Sequence, residues 1–350
     1  AGRARLEPHP GAPGPPPGRV RFDTGTPHGP ALPPEGRGRG MSGGSYDFGM
    51  RAVVRLGAAV LVAGAVTALP ADAPPDRALA TARAVMREHP EMWAGASLVR
   101  GQHALVIGGR TAADPRSASR SLSAPGARPE VRPGSVPVAV PVAGLAAVAD
   151  SARRTVARVW GSVDAVILVP ATDAQAAVLA SPAGVTGLAA LADVDHVIVA
   201  PSGFARLSET GRRVVLAHEL THVATGAAVA GDMPAWLVEG FADYVGYLDS
   251  GLTARAVAAE LAAEVRAGTL PAMLPGREAF RPGSVRLPQA YEEAWLACLY
   301  IAERYGERAL VGLYRAASDH DLATALVKTL GTNLAELTAA WREYVRSELA

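Results

Sequence analysis

The sequence predicts an α+β fold: a small β-sheet with helices on its N-terminal side, then a mostly helical lobe. Three observations predict it. Short apolar runs rich in β-branched residues, Ala165–Val169 (AVILV) and 196–200 (HVIVA), have the composition of buried strands. After them the chain reads only as helices, over 209–225, 233–248, 253–267, 288–305, 307–318, 321–330 and 333–349. Strands first and helices afterwards, with no internal repeat, is the order of an α+β chain. The 350 residues are 49 % hydrophobic and 19 % charged, enough for one large domain or two small ones. Lys+Arg is 34 and Asp+Glu is 33, a balance that excludes binding nucleic acid by bulk charge. Lys328 is the only lysine, so the abundant arginine reflects coding bias. Cys298 is the only cysteine, which excludes an internal disulfide and any multi-cysteine metal site.

The elements follow in chain order. Residues 1–49 form a Pro/Gly-rich tail that buries too little to offset its ordering entropy and is expected to be disordered. The alternative is a translation start placed upstream of the true one, at Met41 or Met50. Residues 50–73 combine Arg51 and Arg55 with an uncharged run at 56–69 and an Ala71-Asp72-Ala73 small-x-small site. This reads as a signal peptide, or as an uncleaved membrane anchor through residues 52–69. The run is shorter than the roughly 20 residues of a spanning helix, and a buried core helix is the remaining reading. The protein is therefore expected to be exported, either secreted or anchored to the outer face of the cytoplasmic membrane. Residues 74–137 form a small N-terminal segment and linker. Within it, 76–90 is a helix, 93–99 and 103–107 are a hairpin around Arg100-Gly101-Gln102, and 111–137 is a Ser/Pro/Gly/Arg-rich loop. Residues 138–350 form the main domain. A helix at 145–159 precedes the first buried strand, and Thr172 caps the helix Asp173–Leu179.

Residues 218–222 read His-Glu-Leu-Thr-His inside a helical pattern that Gly226 stops. Histidines at i and i+4 leave one helix face a turn apart, so His218 and His222 can reach one tetrahedral ion. Glu219 lies about 100° around the helix. There it can touch a metal-bound water without ligating the metal. Glu239 lies 17 residues after His222 in PAWLVEGFADYVG. Asp232 as N-cap and Pro234 in the first turn would start a new helix there. A reversal at 226–231 would carry Glu239 back over the histidines. Two imidazoles and a carboxylate leave Zn2+ a fourth position for water. Asp243, four residues after Glu239, can accept the other ring N–H of a ligating histidine, or be a plain solvated helix residue.

These residues resemble the gluzincin metallopeptidases, the thermolysin-like clan with His-Glu-x-x-His and a downstream Glu-x-x-x-Asp. They are also similar to the peptidase-MA-like proteins of high-GC bacteria, over roughly residues 155–349. The resemblance implies a zincin-type lobe with the motif and the third ligand on two neighbouring helices. It pairs Asp243 with His218 and implies hydrolysis of a peptide or protein substrate. The 16-residue spacer between His222 and Glu239 is shorter than in the thermolysin-like and aminopeptidase families, and no exopeptidase motif is present. In gluzincins a downstream tyrosine or histidine assists the oxyanion. Tyr291 is the candidate, with ordinary packing as the alternative; His320 and Tyr305 are weaker. Trp236, Phe241 and Cys298 read as core, His196 as an ordinary hydrogen-bonding residue, and Arg212 and Arg213 as helix surface. The rival functional reading is a zinc-containing binding or regulatory module with little or no hydrolysis.

Overall fold

The computed structural model describes residues 76–109, 140, 142–229 and 231–350. The tail 1–49, the segment 50–73 with its apolar stretch, and the linker 111–137 lie outside the described residues. No helix among the described residues is long and apolar enough to cross a membrane.

The elements are α1 (Asp76–Glu88), β1 (Ser97–Arg100), β2 (Ala104–Gly108), α2 (Val142–Val159), β3 (Ala165–Val169), α3 (Asp173–Leu179), β4 (Ala190–Ala192), β5 (Val197–Val199), α4 (Pro201–Ala205), α5 (Glu209–Thr225), α6 (Ala235–Tyr247), α7 (Ala254–Val257), α8 (Ala259–Arg266), α9 (Leu287–Tyr305), α10 (Glu307–Asp319), α11 (Leu322–Leu330) and α12 (Leu334–Leu349). The architecture is α+β: a five-stranded sheet followed by a helical lobe. The sheet order is β1-β2-β3-β5-β4, with β2, β3 and β5 parallel and the two outer strands antiparallel to their neighbours.

Both faces of the sheet are buried, which is why its central strands are apolar without alternation. Val106, Ile167 and Val199 face α2 and the helical lobe, in one core with Ala149 and Leu216. Leu105, Ile107, Leu168 and Ile198 face the other way, in a second core with Ala82 of α1 and Ala176 of α3. β2 pairs with β3 along five residues, so the 74–137 segment and the 138–350 segment share one sheet. A single carboxylate secures the hairpin side. Asp150 on α2 accepts the backbone N–H groups of Gln102, His103 and Ala104 at 2.7, 2.8 and 2.8 Å. Burial alone would raise its pKa; those three donors outweigh it and hold the carboxyl below its usual range.

The structure departs from the sequence expectations at several points. The first strand begins at Ser97 rather than at 93, because 89–96 form turns with Ala96 N–H bonded to the Trp93 carbonyl. β4 and α4 are absent from the sequence reading. Ala-Leu-Ala carries little strand preference by itself and is a strand only because β5 pairs with it. Residues 201–203, Pro-Ser-Gly, have turn-forming composition but open the five-residue helix α4. The expected helix 253–267 breaks at Ala258, whose backbone is non-helical at φ −102°, ψ 52°.

Candidate metal centre

α5 and α6 carry the site. Ser208 caps α5 through its side chain, accepting from Gly211 N–H at 3.1 Å. Gly226 ends the helix at φ 67°, a left-handed conformation that favours glycine. α6 begins without a side-chain cap. Pro234 occupies the N-cap position, so Asp232 is not the cap expected from the sequence. α6 returns close against α5. A Cβ on Gly246 would stand 3.0 Å from the Val214 carbonyl oxygen and 3.7 Å from His218 Cβ. On its other side α6 meets α9, where a Cβ on Gly240 would stand 2.2 Å from the Ala294 carbonyl oxygen. Glycine at both positions is what lets the backbones approach this closely.

The approach brings His218, Glu219, His222, Glu239 and Asp243 together, all buried except the half-buried His222. Their residue exposures are 1 % for His218, 4 % for Glu219, 7 % for Glu239 and 3 % for Asp243. The Nε2 atoms of His218 and His222 are 2.9 Å apart. Glu239 Oε2 lies 3.5 Å from the first and 3.6 Å from the second. A point in the plane of this triangle equidistant from its corners lies about 1.9 Å from each, close to the ~2.0–2.1 Å of zinc–nitrogen and zinc–oxygen bonds. The donor set of two imidazoles and one carboxylate, all aimed at one point, therefore fits a zinc ion with a fourth position left over.

Electrostatics point the same way. Three carboxylates, Glu219, Glu239 and Asp243, are buried around two imidazoles. Burial alone would lower the His218 pKa, but Asp243, Glu239 and Glu219 outweigh it and hold the ring well above its usual value. For Glu239 burial opposes ionisation, and the two histidines overcome it and pull the carboxyl down to about 2. The cluster draws positive charge to its centre, as a cation site must.

The surroundings of the donors differ. His218 Nδ1 meets Asp243 Oδ1 at 2.8 Å, which in the neutral ring places the proton on Nδ1 and the lone pair on Nε2. His222 Nδ1 is buried and has no hydrogen-bond partner among the described residues. Glu219 points off the donor face, and its Oε2 accepts the Ala192 N–H of β4 at 2.8 Å. Its pKa is raised, chiefly by burial, with the histidines and the Ala192 N–H opposing. Sequence reasoning missed the Ala192 contact, since a backbone donor leaves no residue signature.

Tyr291 stands in the second turn of α9, 3 % exposed, with its ring edge-on to Phe280 at 5.2 Å. His320 is exposed at the end of α10, and Tyr305 packs against Tyr300. Trp236, Phe241 and Cys298 are core residues. His196 bonds Asp195 at 2.9 Å. Arg212 and Arg213 do more than cover a surface. Arg212 donates to the Ala205 carbonyl at the end of α4, and Arg213 to that of Asp249 beyond α6.

The model of the Peptidase MA superfamily matches residues 143–347. No curated protein matches the chain. A solved structure of a mutant M1 zinc metallopeptidase from Deinococcus radiodurans is similar at 17 % identity and a TM-score of 0.35, over 73 % of this chain and 51 % of that one. The chain thus spans about half the length of that relative.

Proposed function

The chain belongs to the Peptidase MA superfamily, and from that premise we propose that it is an exported zinc-dependent peptidase. The observation that carries this reading is the triangle of His218 Nε2, His222 Nε2 and Glu239 Oε2, with Glu219 beside it. These three residues are the proposed zinc ligands. When bound, zinc supplies a Lewis acid that acidifies a water molecule and polarises a carbonyl. Asp243 keeps the His218 proton on Nδ1 and the ring in its ligating orientation.

Glu219 is the proposed general base. It takes a proton from the attacking water and returns it to the leaving amine. The Ala192 N–H fixes one of its oxygens, leaving Oε1 for the transfer. Burial moves its pKa upward from its ordinary value, with the two histidines and the Ala192 N–H opposing. Tyr291 is the proposed second donor to the oxyanion. Its support is position. Ala294, three residues further on the same helix, touches Gly240 beside Glu239. Export rests on the basic residues, apolar run and small-x-small site of 50–73. The proposed substrate class is a peptide or protein, which the superfamily match favours.

Zinc analysis paired with peptide-library cleavage tests the reading. One zinc per chain is expected, with hydrolysis that Glu219→Gln lowers at least about 100-fold while zinc is retained. Full cleavage by Glu219→Gln would refute the base assignment. Zinc binding without cleavage of any peptide would leave the binding-module reading in its place.

A further inference from the structure

The last turn of α5 is gripped from outside by two aromatic side chains. Trp160, just past α2, donates from Nε1 to the Ala224 carbonyl at 2.9 Å. Tyr314 on α10 donates from its hydroxyl to Thr225 Oγ1 at 3.2 Å. Thr225 Oγ1 in turn donates to the Thr221 carbonyl at 2.8 Å. That carbonyl belongs to the peptide bond leading into His222. Both aromatics also hold α6. Phe241 packs against Tyr314 at 4.8 Å and against Trp160 at 5.6 Å, and the two partners meet each other at 5.3 Å. Phe241 is two residues from Glu239 and two from Asp243. One cluster thus ties the His222 turn and the Glu239 turn to α10.

Packing alone does not require a hydroxyl here. Tyr314 is 1 % exposed, and phenylalanine would fill the same space among these rings. A buried hydroxyl is costly unless bonded, and this one is spent on a single acceptor, Thr225. The arrangement bears on one ligand in particular. Asp243 orients the His218 ring directly, whereas His222 Nδ1 has no hydrogen-bond partner among the described residues. Placement of the His222 ring therefore depends on where its backbone turn is held.

We propose that Tyr314 is a positioning residue for the metal centre, setting through Thr225 the stance of the His222 turn relative to Glu239. The inference rests on the reading that His218, His222 and Glu239 hold zinc. The test is the zinc dissociation constant of the full chain, read by competition with a chromophoric chelator, alongside urea unfolding of the chelator-treated protein. Tyr314→Phe and Thr225→Val should each weaken zinc about threefold to tenfold, less than the 10–100-fold typical of a ligand's direct hydrogen-bond partner. The double variant should be no weaker than Thr225→Val alone, because that variant already removes the bond lost in Tyr314→Phe along with the one to the Thr221 carbonyl. Thr225→Ser, which keeps the hydroxyl, should retain the original affinity. Cobalt substituted for zinc should show a shifted absorption spectrum in Tyr314→Phe, a change that lower stability alone does not cause.

Unchanged zinc affinity in Tyr314→Phe and Thr225→Val, or additive losses in the double variant, would overturn the inference. If Tyr314→Phe fails to fold, Thr225→Val against Thr225→Ser decides the question alone. An original protein that binds no zinc would overturn the metal reading and this inference with it. Zinc binding unaffected by these variants would overturn this inference only.

Discussion

Asp243→Asn isolates the charge behind the first histidine. The carboxylate meets His218 Nδ1 at 2.8 Å and is 3 % exposed. Asparagine keeps the shape and an acceptor oxygen but removes the charge, and a charge-assisted bond is roughly twice as strong as a neutral one. Losing such a partner weakens metal binding about 10–100-fold, or roughly 1.4–2.7 kcal/mol. A second effect works against the first at low pH. Without metal, His218 holds its proton well above the ordinary value, burial opposing and Asp243 the leading cause in favour. Zinc must displace that proton, so the original protein is handicapped as pH falls. The variant's His218 is less basic and loses less. The affinity gap should therefore be widest near pH 8 and narrower near pH 6. Chelator competition at both values measures it, with urea unfolding of the chelated forms to check folding. A folded variant binding zinc within about twofold of the original at pH 8 would refute the argument. So would a gap that widens as the pH drops.

The remaining predictions concern the fold around the site. Glu292 on α9 accepts the Leu261 N–H at 2.7 Å and the Glu260 N–H at 3.3 Å, capping α8 from another helix where Ala258 offers no side chain to do so. Burial, then the Glu260 carboxyl, raises the Glu292 pKa from 4.5 to about 9. The stability it contributes is full below the ordinary value and falls away as the pH rises toward about 9. Glu292→Gln should flatten that decline by at least about 1 kcal/mol, read as urea midpoints of chelated protein from pH 5 to 9; equal slopes would count against it. Gly240→Ala should cost about 1–3 kcal/mol, since its Cβ would stand 2.2 Å from the Ala294 carbonyl oxygen. Gly312→Ala on α10, with nothing within 4 Å, should instead gain up to about 1 kcal/mol. Thermal unfolding of the pair decides, and a stabilised Gly240→Ala would contradict the close helix approach. Tyr291→Phe should lower peptide hydrolysis roughly 10- to 1000-fold with zinc retained if the hydroxyl serves the oxyanion, and a full-rate variant would remove Tyr291 from the mechanism.

Much of the helical lobe was legible because helix signals are local. The 3.6-residue period, Gly226 as a stop and the four-residue step from His218 to His222 are properties of one segment, and α5 spans Glu209–Thr225 as its pattern implies. The four-residue step from Glu239 to Asp243 places both on one face for the same reason. The sequence alone also showed that Ala165–Val169 and Val197–Val199 are apolar throughout, the composition of buried strands; that helices cover both faces of the sheet came from the packing. Other features depended on partners far along the chain. β4 exists because β5 pairs with it, and Ala192 then presents its N–H to Glu219, 27 residues away. The 253–267 periodicity is broken at Ala258, and Glu292 caps the new helix from 31 residues beyond Leu261. Tyr314 meets Thr225 across 89 residues. Periodicity assigns a residue to a face of its own element; only the packing of elements decides which donor, acceptor or ring meets that face. The candidate metal triangle needs both, its histidine pair set by helix spacing and its third corner by the return of α6 against α5.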